Sequence, residues 1–202
     1  MAQRVEAKDS LDDFPTPPWA TRALLEHVIG TPQQSTQICW EPACGRGHMS
    51  KVLWEYFGKV RSTDAHDYGY GDVADYLATK PPRGGYDWLI TNPPFRLAEQ
   101  FIARALDTSK WGVAVIVRTA FLESVGRYNT LFSRRPPSHI LQFAERVVMH
   151  KGKLAPNGST ATAYCWLVWR YGQTGTEFGW IAPCRKRLER PGDYPVASQV
   201  AP

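Results

Sequence analysis

The feature that most constrains the fold of this chain is a regular alternation of short apolar runs and amphipathic segments across residues 14–120. The strand-like runs are TQICW (36–40), KVRST (59–63), YDWLI (86–90) and WGVAVIVR (111–118). The segments with helical periodicity are FPTPPWATRALLEHVIG (14–30), HMSKVLWEYFG (48–58) and RLAEQFIARALDTSK (96–110). This alternation predicts an α/β fold with an open, mostly parallel sheet.

The rest of the chain completes this single domain. Residues 124–134 predict a short helix, and residues 138–150 and 161–172 read as two late strands. The Gly-, Pro- and Lys-containing segment between them predicts an exposed loop, at about residues 148–160. We expect residues 1–13 to be a flexible start, 14–181 to form the domain and 182–202 to be a poorly ordered tail.

Composition excludes several classes of protein. The 202 residues are 43% hydrophobic and 21% charged, which is typical of globular domains. No apolar run reaches the roughly 18 residues of a membrane span, and residues 1–14 lack the apolar core of a signal peptide. A cytoplasmic location without membrane contact is therefore expected. The four cysteines form no CxxC pair, so we expect reduced thiols and no metal site.

Charge is unevenly distributed along the chain. Residues 1–110 carry 12 Lys/Arg and 14 Asp/Glu, a net charge of −2, whereas residues 111–202 carry 12 and 5, a net charge of +7. The basic half is compatible with binding to a polyanion such as nucleic acid. A solvated surface with a basic tail explains the same numbers, so charge alone leaves both interpretations open.

Three unusual segments fall where the predicted strands end, which is the edge where open α/β sheets bind ligands. The first is EPACGRG (41–47), whose Gly45 and Gly47 allow a ligand to approach the backbone before a helix begins. The third glycine of a dinucleotide fingerprint is replaced by Ser50, and a tight turn without a ligand remains an alternative.

The second unusual segment is Asp64, at the end of the second strand, which can bind a ribose diol or cap a turn. Asp72 with Val73 offers a carboxylate and an apolar contact for an adenine ring.

The third segment is Asn-Pro-Pro-Phe, Asn92 to Phe95, at the end of the third apolar run. Each residue before a proline is held extended, and prolines have no N–H, so the acceptors nearby remain for a ligand that brings donors. An amino group on a planar ring, or a side-chain amide, has two such donors. Acceptors that grip both hydrogens free the nitrogen lone pair for attack. The alternative is a proline-stiffened turn.

With these motifs the chain resembles the class I S-adenosylmethionine-dependent methyltransferases, in particular small phage and prophage enzymes that methylate the N6 amine of adenine in DNA. The resemblance covers residues 14–181 and implies a Rossmann-like fold with a seven-stranded, mostly parallel sheet and an antiparallel strand near the C-terminus. It implies the cofactor S-adenosylmethionine, a DNA partner, and direct methyl transfer to a flipped or single-stranded base.

The resemblance also assigns roles to individual residues. Asn92 and the carbonyl of Pro93, in a loop completed by Pro94, would bind the target amine, and Phe95 would stack on the base. The residues that match cofactor-binding positions are Phe14, Thr16, Pro17, Glu41, Ala43, Gly45, Gly47, Asp64, Asp72 and Val73.

The basic half would supply the contacts to nucleic acid. The candidate residues are Arg118, Arg127, Arg134, Arg135, Arg146, Lys151 and Lys153, and the loop that holds the two lysines is the candidate recognition element. Four alternatives share much of this sequence pattern: an RNA adenine methyltransferase, a cytosine N4 methyltransferase, a protein glutamine methyltransferase and an inactive binding module. A nucleotide-dependent dehydrogenase is disfavoured, because the third glycine is missing and Asn-Pro-Pro-Phe would have no role.

Overall fold

The computed structural model describes residues 12–29 and 36–194. Eight strands form one sheet: β1 Ile38–Glu41, β2 Lys59–Asp64, β3 Asp72–Val73, β4 Tyr86–Thr91, β5 Ser109–Arg118, β6 His139–Phe143, β7 Tyr164–Arg170 and β8 Glu177–Ile181. The helices are α1 Pro18–Leu24, α2 His48–Leu53, α3 Ala98–Thr108, α4 Val125–Arg127 and α5 Arg185–Leu188. The π-helical turns Leu25–Ile29 and Tyr128–Phe132 extend α1 and α4, and a 3-10 turn spans Thr119–Leu122.

The strand order is β3-β2-β1-β4-β5-β7-β6-β8. Strands β3, β2, β1, β4 and β5 are parallel, whereas β7 runs antiparallel to both β5 and β6. The predicted α/β class, the mostly parallel sheet and the antiparallel strand near the C-terminus are confirmed. The sheet has eight strands rather than seven, because β8 pairs in parallel with β6 at the edge.

Apolar side chains cover both faces of the sheet, as its continuous apolar strands require. On one face α1 and α2 pack with Trp19, Leu53 and Trp166. The indole nitrogen of Trp166 donates to the carbonyl of Ala20 at 3.0 Å, which fixes α1 against β7. On the other face α3 packs on the central strands through Phe101, Ile102 and Ala105.

The late part of the chain differs from expectation in two ways. Strand β6 ends at Phe143, and the chain then forms a long connection in which Val147, Val148 and Met149 are buried. The predicted tail also contains order, because α5 packs beside α1 and buries Leu188. The expected flexible start 1–13 lies outside the described residues except for Asp12 and Asp13.

One buried cation connects the N-terminal helix to this C-terminal segment. The guanidinium of Arg22, 3% exposed, donates two hydrogen bonds to Glu55, two to Asp193 and one to the carbonyl of Leu188. These partners hold the pKa of Arg22 above its usual value, although burial acts in the opposite direction.

No described helix is long and apolar enough to cross a membrane.

We predict that Arg22→Ala lowers the free energy of unfolding by about 3–5 kcal/mol, because it leaves the carboxylates of Glu55 and Asp193 without their shared partner. Urea denaturation followed by circular dichroism measures the change. The matched control is Arg187→Ala. Arg187 is 66% exposed in its pair with Glu26, so its removal is expected to lower the free energy of unfolding far less. Equal losses in the two variants would contradict a dominant role for Arg22.

Candidate active site

A cavity of about 360 Å³ opens at the carboxyl ends of β1, β2 and β4, the edge at which the sequence motifs were expected to meet. Its volume lies in the range of small-molecule pockets. The predicted site residues on its wall are Phe14, Thr16, Glu41, Ala43, Gly45, Asp64, Asn92 and Pro94. The predicted residues that are not on its wall are Pro17, Gly47, Asp72, Val73, Pro93 and Phe95.

The turn after β1 has the close backbone geometry that its glycines predict. Gly45 and Gly47 have φ values of 49° and 77°, and Gly47 is the N-cap of α2. A Cβ at Gly47 would lie 2.5 Å from the ring of Tyr70, so this position tolerates no side chain. Gly47 does not line the cavity, but its lack of a side chain lets the turn pack closely against Tyr70.

Asp64 ties this turn to the end of β2. Its Oδ2 accepts a hydrogen bond from the backbone N–H of Gly45 at 2.9 Å, and its Oδ1 accepts one from the N–H of His66 at 3.0 Å. Each carboxylate oxygen can accept a further bond, since it has two lone pairs. Asp64 thus lies on the cavity wall, and its carboxylate oxygens can still accept hydrogen bonds from a ligand hydroxyl.

Glu41 is the most perturbed acid of the cavity. It is 2% exposed, its Oε2 accepts a short hydrogen bond from the Ser50 hydroxyl, and Ser50 in turn lies 2.6 Å from the hydroxyl of Ser62. Burial raises the pKa of Glu41 to about 8, and the negative charge of Asp64 adds to the rise, while the bond from Ser50 opposes it. A cation in the cavity would stabilise the ionised form of Glu41.

A buried hydroxyl in the cavity has no partner. The Oγ1 of Thr16, a residue 3% exposed, makes no hydrogen bond among the described residues. Buried polar atoms normally have partners, so an orphan on a cavity wall points to a ligand group. Thr16 lies just before α1, where Pro17 and Pro18 set the start of the helix.

The two residues that were expected at the adenine are not on the cavity wall. Asp72 and Val73 form the exposed two-residue strand β3 and do not line the cavity. Asp75 and Tyr76 line it instead. The sequence GDVADY contains both acids, and its spacing does not distinguish them, because the short β3 and the turn after it decide which acid reaches the cavity. Tyr68, another residue of the cavity wall, was also missed as a site residue.

The Asn-Pro-Pro-Phe segment leaves β4 at the edge of the cavity. The Asn92 side chain donates from Nδ2 to the carbonyl of Phe14 at 2.8 Å and lies 3.8 Å from the sulfur of Met149. The Oδ1 atom receives no hydrogen bond from the described residues and remains an acceptor. Pro93 is buried between Asn92 and Pro94, which both line the cavity.

Phe95 belongs to an aromatic and cationic stack outside the cavity. Its ring lies 5.4 Å from the ring of Phe14, with an interplanar angle of 40°. The guanidinium of Arg118, at the end of β5, lies 3.9 Å from the centroid of Phe95 and 5.8 Å from that of Phe14. The structure thus brings Arg118 to the ring that was predicted to stack on a base.

The other predicted basic contacts divide into two groups. Arg146 follows β6, and Lys151 and Lys153 lie in the connection to β7, which reaches the site through Met149. Arg127 donates to the carbonyls of Phe121 and Glu123, so its guanidinium is used within its own segment.

Arg134 and Arg135, two further candidates for phosphate contacts, lie away from the cavity. Arg135 pairs with Asp107 at 2.5 Å, next to the start of β5. The parallel strands begin at this edge, opposite the cavity, and Arg134 is the neighbouring residue.

Comparison with solved structures identifies the fold. The type I restriction-modification methyltransferase subunit from Streptococcus thermophilus matches with a TM-score of 0.61 and 11% identity, over 90% of this chain and 50% of that chain. The 23S rRNA methyltransferase ErmE matches with a TM-score of 0.54 and 12% identity, over 80% and 70%. Magnesium protoporphyrin IX methyltransferase from Synechocystis PCC 6803 was solved with bound S-adenosylmethionine. It matches with a TM-score of 0.51 and 10% identity, over 75% of this chain and 79% of that chain.

These matches show that the chain has the class I S-adenosylmethionine-dependent methyltransferase fold. The chain spans about half the length of the type I restriction-system subunits it matches. No protein-family model matches the sequence, and no curated protein does either.

We predict that Glu41 makes stability depend on pH. Between about pH 4.5 and 8 the folded state keeps a proton on Glu41 that the unfolded state has lost, so the free energy of unfolding falls as the pH rises. Glu41→Gln lacks this titration. Relative to the variant, wild type is therefore expected to lose up to about 1.4 kcal/mol per pH unit in this window. Urea denaturation of both proteins at pH 5, 6.5 and 8 checks this, and a constant difference would contradict it.

Proposed function

We propose that this protein is a methyltransferase that transfers a methyl group from S-adenosylmethionine to the exocyclic N6 amine of adenine in DNA. The observation that carries the proposal is the position of Asn92 on the cavity wall, where the carbonyl of Phe14 fixes its amide and leaves Oδ1 as an acceptor. Within this fold, an Asn-Pro-Pro-Phe segment at the end of β4 resembles the catalytic loop of amino-methylating enzymes.

The cavity has the chemistry to bind S-adenosylmethionine. Its carboxylates suit a ligand that carries an ammonium and a sulfonium group, and Asp64 retains acceptor capacity for a ribose diol. The unpartnered hydroxyl of Thr16 suits the methionine end, and Asp75 with Tyr76 suits the adenine. The bound cofactor supplies an electrophilic methyl group, so no residue of this chain has to form a covalent bond.

The chain's own contribution is to hold the target amine. Asn92 Oδ1 and the Pro93 carbonyl accept its two hydrogens, which keeps the nitrogen lone pair available for the methyl group. Because these dipoles are fixed before the substrate binds, they need no reorganisation during the reaction. Positioning of the amine supplies much of the rate enhancement.

The base must leave its stack to reach this position, so the substrate is single-stranded or the base is flipped. Phe95 offers a ring for stacking, and the guanidinium of Arg118 already lies over that ring. Arg118 is exposed at the end of β5, next to the loop that connects β6 and β7. In this proposal, Arg118 is the cation that meets the polyanionic strand as it enters the site.

An RNA adenine methyltransferase is the second candidate. The observation that favours it is the tetrapeptide itself, since Asn92 and Pro93 can hold the same amine whether the sugar is ribose or deoxyribose. DNA is the first candidate because segments 66–77, 91–101, 117–128 and 159–170 resemble small phage DNA adenine methyltransferases.

We expect Asn92→Ala to lose at least about 100-fold in methyl transfer, because it removes one of the two fixed acceptors of the amine. The purified protein is incubated with S-adenosylmethionine and unmethylated DNA, RNA or bulk protein, and mass spectrometry of the digests identifies the methylated group. N6-methyladenine in DNA is the expected product. Calorimetry is expected to show that the variant still binds the cofactor.

The matched control is Asn129→Ala, an exposed asparagine in the π-helical turn after α4, which is expected to retain full activity. Methylated RNA or protein without methylated DNA would change the substrate and keep the mechanism. Cofactor binding without transfer to any acceptor would overturn the proposed function in favour of a binding module.

We also expect Lys153→Ala to weaken nucleic-acid binding and to reduce the slope of log K against log salt by about 0.9, the loss of one phosphate contact. Fluorescence anisotropy with a labelled oligonucleotide at several salt concentrations measures both. Lys59→Ala is the control, because Lys59 starts β2 at the edge opposite the cavity and is equally exposed. Equal effects of the two variants would refute the assignment of the β6–β7 connection as the recognition element.

A further inference from the structure

The backbone of the Asn-Pro-Pro-Phe segment has few donors by which the protein can hold it. Pro93 and Pro94 have no N–H, so the N–H of Phe95 is the first one after Asn92. It donates to the Oδ2 atom of Asp12 at 2.5 Å. Asp12 thus holds the far end of the segment through a charge-assisted hydrogen bond.

The near end of the segment is held by the same short stretch of chain. The carbonyl of Phe14 accepts the hydrogen bond from Asn92 Nδ2 at 2.8 Å, and the ring of Phe14 packs on the ring of Phe95. Residues 12–14 therefore contact both ends of the tetrapeptide.

Asp13, between these two residues, connects the stretch to two other loops. Its carboxylate pairs with Arg46 of the turn after β1 at 2.5 Å. Its carbonyl accepts a hydrogen bond from the N–H of Gly152, in the connection between β6 and β7, at 2.8 Å. Residues 12–14 are the place where the proposed cofactor, catalytic and recognition loops meet.

From these contacts we infer that Asp12 is a positioning residue for methyl transfer: its carboxylate fixes the backbone at Phe95 and so sets the geometry of the loop that binds the target amine. The inference rests on the proposed function. Asp12 is solvent-exposed, so its contact adds little to the apolar core. Loss of the contact is expected to change the orientation of the loop more than the stability of the fold.

The distinguishing readout is hydrogen exchange at the Phe95 amide, measured by NMR on the full chain without cofactor. We expect Asp12→Ala to speed this exchange by roughly ten-fold, because the N–H loses its charged acceptor. Asp12→Asn keeps an oxygen acceptor and is expected to restore most of the protection. Asp67→Ala is the matched control: Asp67 is also exposed and accepts a backbone N–H, from Gly69 at 2.8 Å, and its loss is expected to leave Phe95 unchanged.

The kinetic readout is the single-turnover rate of methyl transfer with cofactor and nucleic acid at saturation. We expect Asp12→Ala to lower this rate by about ten-fold or more, with Asp12→Asn within about three-fold of wild type. The unfolding midpoint in urea is expected to stay close to that of wild type for both variants.

Two results would overturn the inference while the proposed function stands: unchanged exchange at Phe95 in Asp12→Ala, or faster exchange with an unchanged rate of transfer. If wild type transfers a methyl group to no acceptor, the proposed function fails and the role of Asp12 in transfer fails with it. The exchange data then show separately whether Asp12 holds the loop.

Discussion

The hydrogen bond from the Asn92 side chain to the carbonyl of Phe14 is the contact on which the functional interpretation depends. A free asparagine amide can turn its oxygen or its nitrogen toward a ligand, and the two orientations have opposite chemistry. Donation from Nδ2 to Phe14 decides between them and leaves Oδ1 as the acceptor. The bond joins residues 78 positions apart, so the acceptor exists only in the folded chain.

The acidic and basic halves of the sequence contribute to different parts of the proposed site. The cavity wall includes the carboxyl groups of Asp12, Asp13, Glu41, Asp64 and Asp75, and all five precede residue 111. The basic residues of the recognition element come from the later half, which has a net charge of +7. The proposed cationic cofactor and the proposed polyanionic substrate would therefore face surfaces of opposite sign, and this separation favours binding of each at its own place.

Much of the fold could be predicted from the sequence, because strands β1, β4 and β5 are largely apolar runs and β2 lies between a helix-ending glycine and the loop after Asp64. Strand β8 could not, since Phe178 and Trp180 are exposed and Gly179 interrupts the run. The hydropathy pattern of residues 177–181 does not predict a strand, and only the pairing with β6 in the structure identifies β8. The end of β6 was also misplaced, because the apolar residues Val147 to Met149 continue the pattern but pack as a loop.

The site was predictable where a residue follows directly from a strand end, as Glu41, Asp64 and Asn92 do. It was less predictable where a loop decides the position: Asp75, rather than Asp72, reaches the cavity after the chain turns away from β3. The role of Asp12 was hidden for a different reason. Its partner is a backbone N–H 83 residues away, and no side-chain pattern marks such a contact.

The reversed direction of β7 explains why the proposed recognition element and the proposed catalytic loop are neighbours. Arg118 ends β5 and pairs with Tyr164, the first residue of β7. If β7 were parallel to β5, it would begin at the opposite edge of the sheet, and the connection from β6 would end there too. Because it is antiparallel, residues 144–163 both leave and re-enter the sheet beside Arg118 and Asn92. A single change of strand direction thus brings basic residues of the β6–β7 connection to the site where the target base is proposed to bind.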